Sequence, residues 1–593
     1  MTFDLLRAFS RPRHRARGFI RVALFCALAA AVPARAEAPA PNPPIISQGR
    51  RFLPVLAEHG MVVAQEAQAA RVGRDVLRRG GNAVDAAVAT ALALAVTLPR
   101  AGNLGGGGFM LIHSPKSGET VAVDYRETAP AAATRDMFLD AAGEADPAKS
   151  RFSGLAVGVP GTVAGLTRAL RRYGSGRLTL AELAAPAVRL AREGFTVGDD
   201  LADSLAQAAR LGGFPSSARI FMRAPGEPLR RGDLLRQTDL ADVIEAVGRD
   251  GERAFYEGPV AEKIVAAVRG AGGVMTLDDL KSYRALERAP VRGHYRGHEI
   301  VSMPPPSSGG THVIELLNIL EGLPLADLGA GSAASIHLFA EATKLVYADR
   351  ARYLGDPDFV EVPLAALTSK AYAARLRGEI DPARARPAAE IMPVDPTPYE
   401  SAETTHFSIV DAEGGAVANT YTLNFSYGLG LVADGAGVLL NNELDDFAAK
   451  PGAPNAFGLM GGAANAPASG KRPLSSMAPT MVFRGGELEL VTGSPGGSRI
   501  ITTVAGLIVG MIDHGLNPAE ATAAPRAHHQ GFPDALYVER GVSPDTLALL
   551  RGLGHTVVEG GAWGSAQSVL RRPDGLLEGA ADSRQRGTLA AGY

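Results

Sequence analysis

The sequence contains one cysteine in 593 residues, Cys26. A disulfide within the chain is therefore excluded. Neither sign of charge dominates, with 60 basic and 62 acidic residues and a formal net charge of −2. That balance argues against a nucleic acid or a membrane surface as partner. Aromatic residues are scarce, at 6 %, whereas glycine is abundant, at 70 residues. Many tight turns and close backbone approaches follow. Apolar runs are short. The Ala/Val/Leu stretch from Asp85 to Thr97 falls well below the ~20 residues a bilayer span needs, so it reads as a buried helix. Several nucleotide and hydrolase signatures are missing too. Gly428-x-Gly430-x-x-Ala433 is followed by Asp434-Gly435-Ala436-Gly437 rather than a helix, and Gly470-Lys471 lacks the rest of a phosphate loop. No Gly-x-Ser-x-Gly elbow occurs. His528-His529 has no ligand frame around it, so neither a catalytic metal nor any other cofactor is expected.

Five arginines between Arg11 and Arg21 precede the apolar run Val22 to Val32, and Ala34-Arg35-Ala36 fits a small-x-small cleavage site. Residues 1–36 read as a signal peptide rather than a membrane anchor, with a mature start near Glu37. Export carries the lone cysteine away and leaves no thiol for catalysis. A Pro-rich stretch, Pro39 to Pro44, leads into the globular part.

Along that part, Gly60 to Ala64 reads as a strand and Ala67 to Arg79 as a helix. Gly105 to Gly108 opens a strand at Phe109, and residues 150–390 read as mainly helical. Pro304 to Gly310 is a rigid loop before a helix from Thr311 to Leu320. Residues 380–403 carry five prolines and many charges, which marks an exposed linker. From Thr404 the pattern becomes β. Hairpins are expected over Thr405 to Asn424 and Met481 to Thr492, then a helix from Ser498 to His514.

Three features carry chemistry. The first is Glu403-Thr404-Thr405-His406, at the boundary between linker and strand. A cut before Thr404 would place a hydroxyl and a free α-amine on one residue, a nucleophile with its own base. The second is Gly493-Ser494-Pro495-Gly496-Gly497, between a strand and a helix, where outward amides suit an oxyanion. The third is a polar set: Asn424, the run Asn441-Asn442-Glu443-Leu444-Asp445-Asp446, and Ser475-Ser476 close after Arg472. Carboxylates with amides suit an ammonium group, and hydroxyls with an arginine suit a carboxylate. Together they would read an amino-acid head group.

These motifs, in this order from about Gly60 to Tyr593, resemble the γ-glutamyltransferase (γ-glutamyl transpeptidase) family of the bacterial periplasmic type. The most specific are Thr404 to Ser408, Leu439 to Phe447, Arg472 to Met477 and Gly493 to Arg499. Gly80 to Ala87, Asp124-Tyr125-Arg126-Glu127 and Pro304 to Gly310 also fit. The resemblance implies an α+β fold, the αββα four-layer sandwich of the N-terminal-nucleophile hydrolases. It implies a precursor cut between Glu403 and Thr404 into a large subunit, 37–403, and a small subunit, 404–593, that stay together as a heterodimer in the periplasm or outside the cell. It implies Thr404 as nucleophile, Thr422 as its support, and Gly496 and Gly497 as oxyanion amides. Arg126, Ser475 and Ser476 would hold the donor's α-carboxylate, and Asn424, Glu443 and Asp446 its α-amine. The partners implied are glutathione and other γ-glutamyl compounds, with amino acids or peptides as acceptors. Pro451 to Gly470 matches the family's loop over the site, and Phe457 stands where some relatives carry tyrosine. Two alternatives remain: a glutaryl acylase of the same fold, and a secreted binding protein that never matures.

Overall fold

The computed structural model describes residues 51–391 and 404–593. The signal peptide, Cys26, the Pro-rich stretch, the second half of the linker and Glu403 lie outside the described residues.

Alternating apolar residues build two seven-stranded antiparallel sheets. One runs, in spatial order, Leu589–Gly592, Met61–Ala64, Thr405–Val410, Ala416–Thr422, Gly107–Ser114, Glu119–Tyr125 and Leu286–Arg288. The other runs Val55–Ala57, Leu577–Ala581, Gln567–Arg571, Glu487–Thr492, Thr480–Arg484, His298–Ser302 and Val291–Tyr295. Each sheet thus interleaves strands from before and after the 403–404 junction. Thr405–Val410 lies inside its sheet, between Met61–Ala64 and Ala416–Thr422.

Successive side chains of a strand face opposite ways, and the core divides accordingly. Val62, Ala64, Phe407, Ile409, Val417 and Tyr421 pack against a helical layer that includes Ala67–Arg78, Ala83–Thr97 and Leu180–Glu193. Met61, Val63, Val410, Ala416 and Ala418 face the second sheet, meeting Met481, Val491 and Val569. The same apolar cluster continues into the helices Gly309–Leu320, Ala333–Tyr353 and Ile500–Ile512. The layers are helix, sheet, sheet, helix, as the resemblance implies.

The Ala83–Thr97 helix is buried along its whole length, as its composition predicts. Asn82 and Asp85 form a capping box at its start, worth about 1 kcal/mol. Among the described residues no helix is long and apolar enough to cross a membrane. The largely helical reading of 150–390 misses seven short strands, of which three, Leu286–Arg288, Val291–Tyr295 and His298–Ser302, join the two large sheets. Their Arg, His and Glu content hides the alternation in these three, and they lie towards one end of each sheet, where burial is incomplete. The first half of the linker is tied down rather than free. Ala385 donates to the Leu553 carbonyl and Ala388 to Asp534, at 2.7 and 2.8 Å.

Candidate active site

Thr404 immediately precedes the Thr405–Val410 strand and is only 5 % exposed. Its hydroxyl lies 3.5 Å from that of Thr422, at the end of the neighbouring strand. Thr422 Oγ1 accepts the Asn424 amide at 2.8 Å. Asn424 has a φ of 75°, a left-handed conformation that asparagine tolerates better than most residues. The expected strand therefore stops at Thr422, and the turn swings Asn424 over to donate to the Asn442 carbonyl at 3.0 Å.

The Gly493–Gly497 turn packs through Gly493 against the ring of His406, in the strand that follows Thr404. The imidazole bonds Thr420 at 2.8 Å and Ser408 at 3.0 Å. A Cβ on Gly493 would sit 2.4 Å from the His406 ring, so glycine is required there. Burial pushes the His406 pKa down to about 3, which keeps the ring neutral. Gly496 and Gly497 have φ of 135° and 54°. Among the described residues neither amide has an acceptor in the protein. One 3₁₀ turn, Gly497–Arg499, leads into the Ile500–Ile512 helix, so the α-helix starts two residues later than expected.

The polar set forms the opposite wall. Asn441 fixes the single turn Glu443–Asp446 by accepting from the Glu443 and Gly158 amides, at 3.0 and 2.9 Å. Asp445 points away and accepts from Ser150 at 2.7 Å and from the Ala456 amide at 3.1 Å. Glu443 and Asp446 instead meet Arg126, which is fully buried and donates to both. Burial alone would lower the Arg126 pKa, but Glu443, Asp446 and Glu127 outweigh it and hold it above its ordinary value. Burial pushes Glu443 and Asp446 up against the pull of Arg126. Arg126 thus touches both carboxylates that the resemblance assigns to the α-amine. Its guanidinium, which the resemblance implies for the donor's α-carboxylate, is paired with them in the structure.

Ser475 is fixed by backbone bonds to the Pro304–Gly310 loop. Its amide donates to the Pro306 carbonyl at 2.9 Å, and its carbonyl accepts from the Ser308 amide at 2.8 Å. Ser476 Oγ accepts from Arg350 at 3.2 Å. Arg350 is a site residue that sequence reading missed. It sits on the Ala333–Tyr353 helix, is 4 % exposed, and also donates to Ser308 Oγ at 3.0 Å. Burial lowers its pKa to about 10, still cationic at neutral pH. Nothing in its local sequence separates it from any other helical arginine.

One cavity gathers these groups. Thr404, Thr422 and Gly497 line one side, and Arg126, Asn424, Glu443, Asp446, Ser475 and Ser476 the other. Gly496 adjoins it through Gly497. Phe457 and Leu459 close it. Phe457 stacks edge-on against Phe425, and its carbonyl accepts from Gln530 at 3.0 Å. Asn455, in the same loop, donates to Asp446 at 3.2 Å, which ties the loop to the Glu443–Asp446 turn.

A four-layer sandwich with a threonine opening a central strand, facing unspent backbone amides, defines an N-terminal-nucleophile hydrolase. The family model described as Gamma-glutamyltranspeptidase matches residues 69–592. The chain is 54 % identical over 578 residues to the glutathione hydrolase proenzyme of Escherichia coli strain K12, covering 97 % of this chain and 99 % of that one. Among solved structures it is similar to the gamma-glutamyltranspeptidase of Helicobacter pylori, with a TM-score of 0.54 and 43 % identity over 58 % of this chain and 96 % of that one. It is also similar to a cephalosporin acylase from Bacillus halodurans, with a TM-score of 0.79 but 27 % identity, over 93 % and 99 %. The chain belongs to the gamma-glutamyltranspeptidase family.

Proposed function

We propose that this protein is an exported, self-processing γ-glutamyltransferase that cleaves glutathione and related γ-glutamyl amides. The observation that carries this reading is the single cavity shared by the Thr404 hydroxyl, the Gly497 turn and the Arg126–Glu443–Asp446 cluster. The Glu403–Thr404 bond breaks first, leaving chains 37–403 and 404–593 as a heterodimer. The freed α-amine of Thr404 has a reference pKa of about 7.7–8, so near neutral pH part of it is unprotonated and accepts the hydroxyl proton. Thr404 Oγ attacks the γ-carbonyl carbon, and the Gly496 and Gly497 amides receive the oxyanion. The amine leaves with the proton, and a γ-glutamyl ester remains on Thr404. Water releases glutamate, or an amino acid or peptide takes the acyl group.

The head-group wall supports a γ-glutamyl donor over a glutaryl one. An α-ammonium group gives Glu443 and Asp446 a second cation beside Arg126. A glutaryl chain has none and leaves two carboxylates sharing one guanidinium. The test is N-terminal sequencing of the smaller fragment together with release from γ-glutamyl and glutaryl anilides. The expected fragment begins Thr-Thr-His-Phe-Ser, and the γ-glutamyl anilide is strongly preferred. A single uncut band, or a preference for the glutaryl anilide, would overturn the reading.

Gly497→Ala tests the oxyanion amides. The added Cβ would lie 2.7 Å from the Phe457 ring, at a φ of 54° that costs an L-residue about 1–2 kcal/mol. The turn must shift and take its amides with it. The expected result is a fall in kcat on the order of 10²–10³, the usual effect of losing an oxyanion donor, with KM nearly unchanged. Steady-state kinetics on the γ-glutamyl anilide read it, and an unaltered kcat would remove Gly497 from this role.

A further inference from the structure

Outside the active site, the described residues contain one buried group of metal-ligating side chains, His337, Glu341 and His555, whose ligand atoms lie within 4.8 Å of one another. His337 and Glu341 are four residues apart on the Ala333–Tyr353 helix and so share one face. His555 follows the Pro544–Gly552 helix and reaches them from the other side of the 403–404 junction. All three are buried.

The hydrogen bonds fix how the rings are presented. His337 Nε2 lies 2.8 Å from the Asp381 carbonyl, which can only accept, so this nitrogen carries the proton. In the neutral ring the lone pair is then on Nδ1, aimed at His555 Nε2 at 2.8 Å. A carbonyl behind one ring nitrogen with a free lone pair on the other is the arrangement that orients metal-bound histidines. Glu341 Oε1 has no hydrogen-bond partner but pairs with the Lys344 ammonium at 2.6 Å.

We propose that His337 Nδ1, His555 Nε2 and a Glu341 carboxylate oxygen form a binding site for one zinc-class divalent ion. Two imidazoles and one carboxylate suit zinc and disfavour calcium or magnesium, which take oxygen ligands. Tetrahedral zinc bonded at about 2.0–2.1 Å needs its two nitrogens roughly 3.3 Å apart, so the rings must part by about 0.5 Å. The proton on His555 Nε2 moves to its Nδ1. Glu341 exchanges the Lys344 ammonium for the metal, while Lys344 keeps the Arg386 carbonyl that it already reaches at 2.5 Å. Water completes the shell. Because the ligands come from both sides of position 403, the ion would staple the two chains of the mature protein. That consequence rests on the cleavage proposed above, but the site itself does not.

The test uses tag-free, chelator-stripped protein, both wild type and the uncut Thr404→Ala chain, titrated with zinc against a chromophoric chelator near neutral pH. Each is expected to bind one zinc per molecule, the two chains of the cut protein counted together. His337→Gln and His555→Gln keep a hydrogen-bonding side chain and are expected to weaken binding by at least about 100-fold, beyond what removing an outer partner usually does. X-ray absorption on zinc-loaded wild type provides a readout that does not depend on the variants. Two imidazole nitrogens at about 2.0 Å are expected. Absence of uptake by folded wild type, unchanged uptake in the His555→Gln variant, or a zinc shell without imidazole each overturns the proposal. Binding by the wild type but not by Thr404→Ala also overturns it, since the site would then depend on cleavage. Uptake by an uncut wild type would instead refute the cleavage reading and leave the metal site standing.

Discussion

Thr404→Ala is expected to yield one full-length chain with no measurable transfer or hydrolysis. Both losses have one cause. Among the described residues lining the cavity, the Thr404 hydroxyl is the one proposed as nucleophile beside the Gly497 turn, whereas Thr422 Oγ1 accepts the Asn424 amide and Ser475 and Ser476 stand on the far wall. Without Oγ no ester forms, either with the Glu403 carbonyl during maturation or with the γ-carbonyl in turnover. Losing the nucleophile of a comparable acyl-transfer site costs on the order of 10⁶ in kcat. Here the uncut chain also lacks the α-amine, so base and nucleophile vanish together. Thr404→Ser separates the effects. It keeps the hydroxyl but loses a methyl that helps lock the rotamer, so slower cutting and slower turnover are expected. Denaturing gels and the γ-glutamyl anilide assay read both variants. A Thr404→Ala protein that runs as two chains would remove Thr404 from the mechanism.

The second large effect is expected from Asp446→Ala. Asp446 and Glu443 both accept from Arg126, and all three side chains are largely withdrawn from water. Truncating Asp446 removes a proposed partner of the donor's α-ammonium and unbalances the charge on Arg126. Truncating one partner of a buried, hydrogen-bonded charge pair costs about 2–5 kcal/mol, or roughly 30-fold to several thousand-fold in kcat/KM. The loss should be mainly in KM, because the α-amine stays bound alike in ground and transition states. Glutaryl anilide is the control. It has no ammonium for Asp446 to meet, so its slow turnover should change far less. An equal drop on both anilides would mean that Asp446 only shapes the fold, and a thermal melt would then show the corresponding loss of stability.

How much of this could be read in the sequence depended on how local each feature was. Thr404, the Gly493–Gly497 turn and the Glu443–Asp446 turn are contiguous motifs between recognisable strands, and the structure brings them to one cavity. The Ala83–Thr97 helix was legible because its composition leaves no polar face. Arg350 was not legible, since its partners Ser308 and Ser476 lie 42 and 126 residues away and its helix reads as ordinary. The strands between Leu286 and Ser302 escaped because strands at a sheet margin carry charge where inner strands carry valine and isoleucine. The sharing of Arg126 between Glu443 and Asp446 was hidden for another reason. Each residue type suggested its own ligand charge, but only the fold shows that the opposite charges are already paired with each other.

The order of strands in the sheet that carries Thr404 also bears on how the fold is completed. Met61–Ala64 bonds Thr405–Val410 on one side and Leu589–Gly592 on the other, and the Tyr593 carbonyl accepts from the Glu58 and His59 amides. Strands more than 500 residues apart must therefore meet before this sheet is complete. Pairings that distant in sequence form slowly, because the loop between them must be closed first. Under the proposed cut at 403–404, this pairing becomes one between two chains.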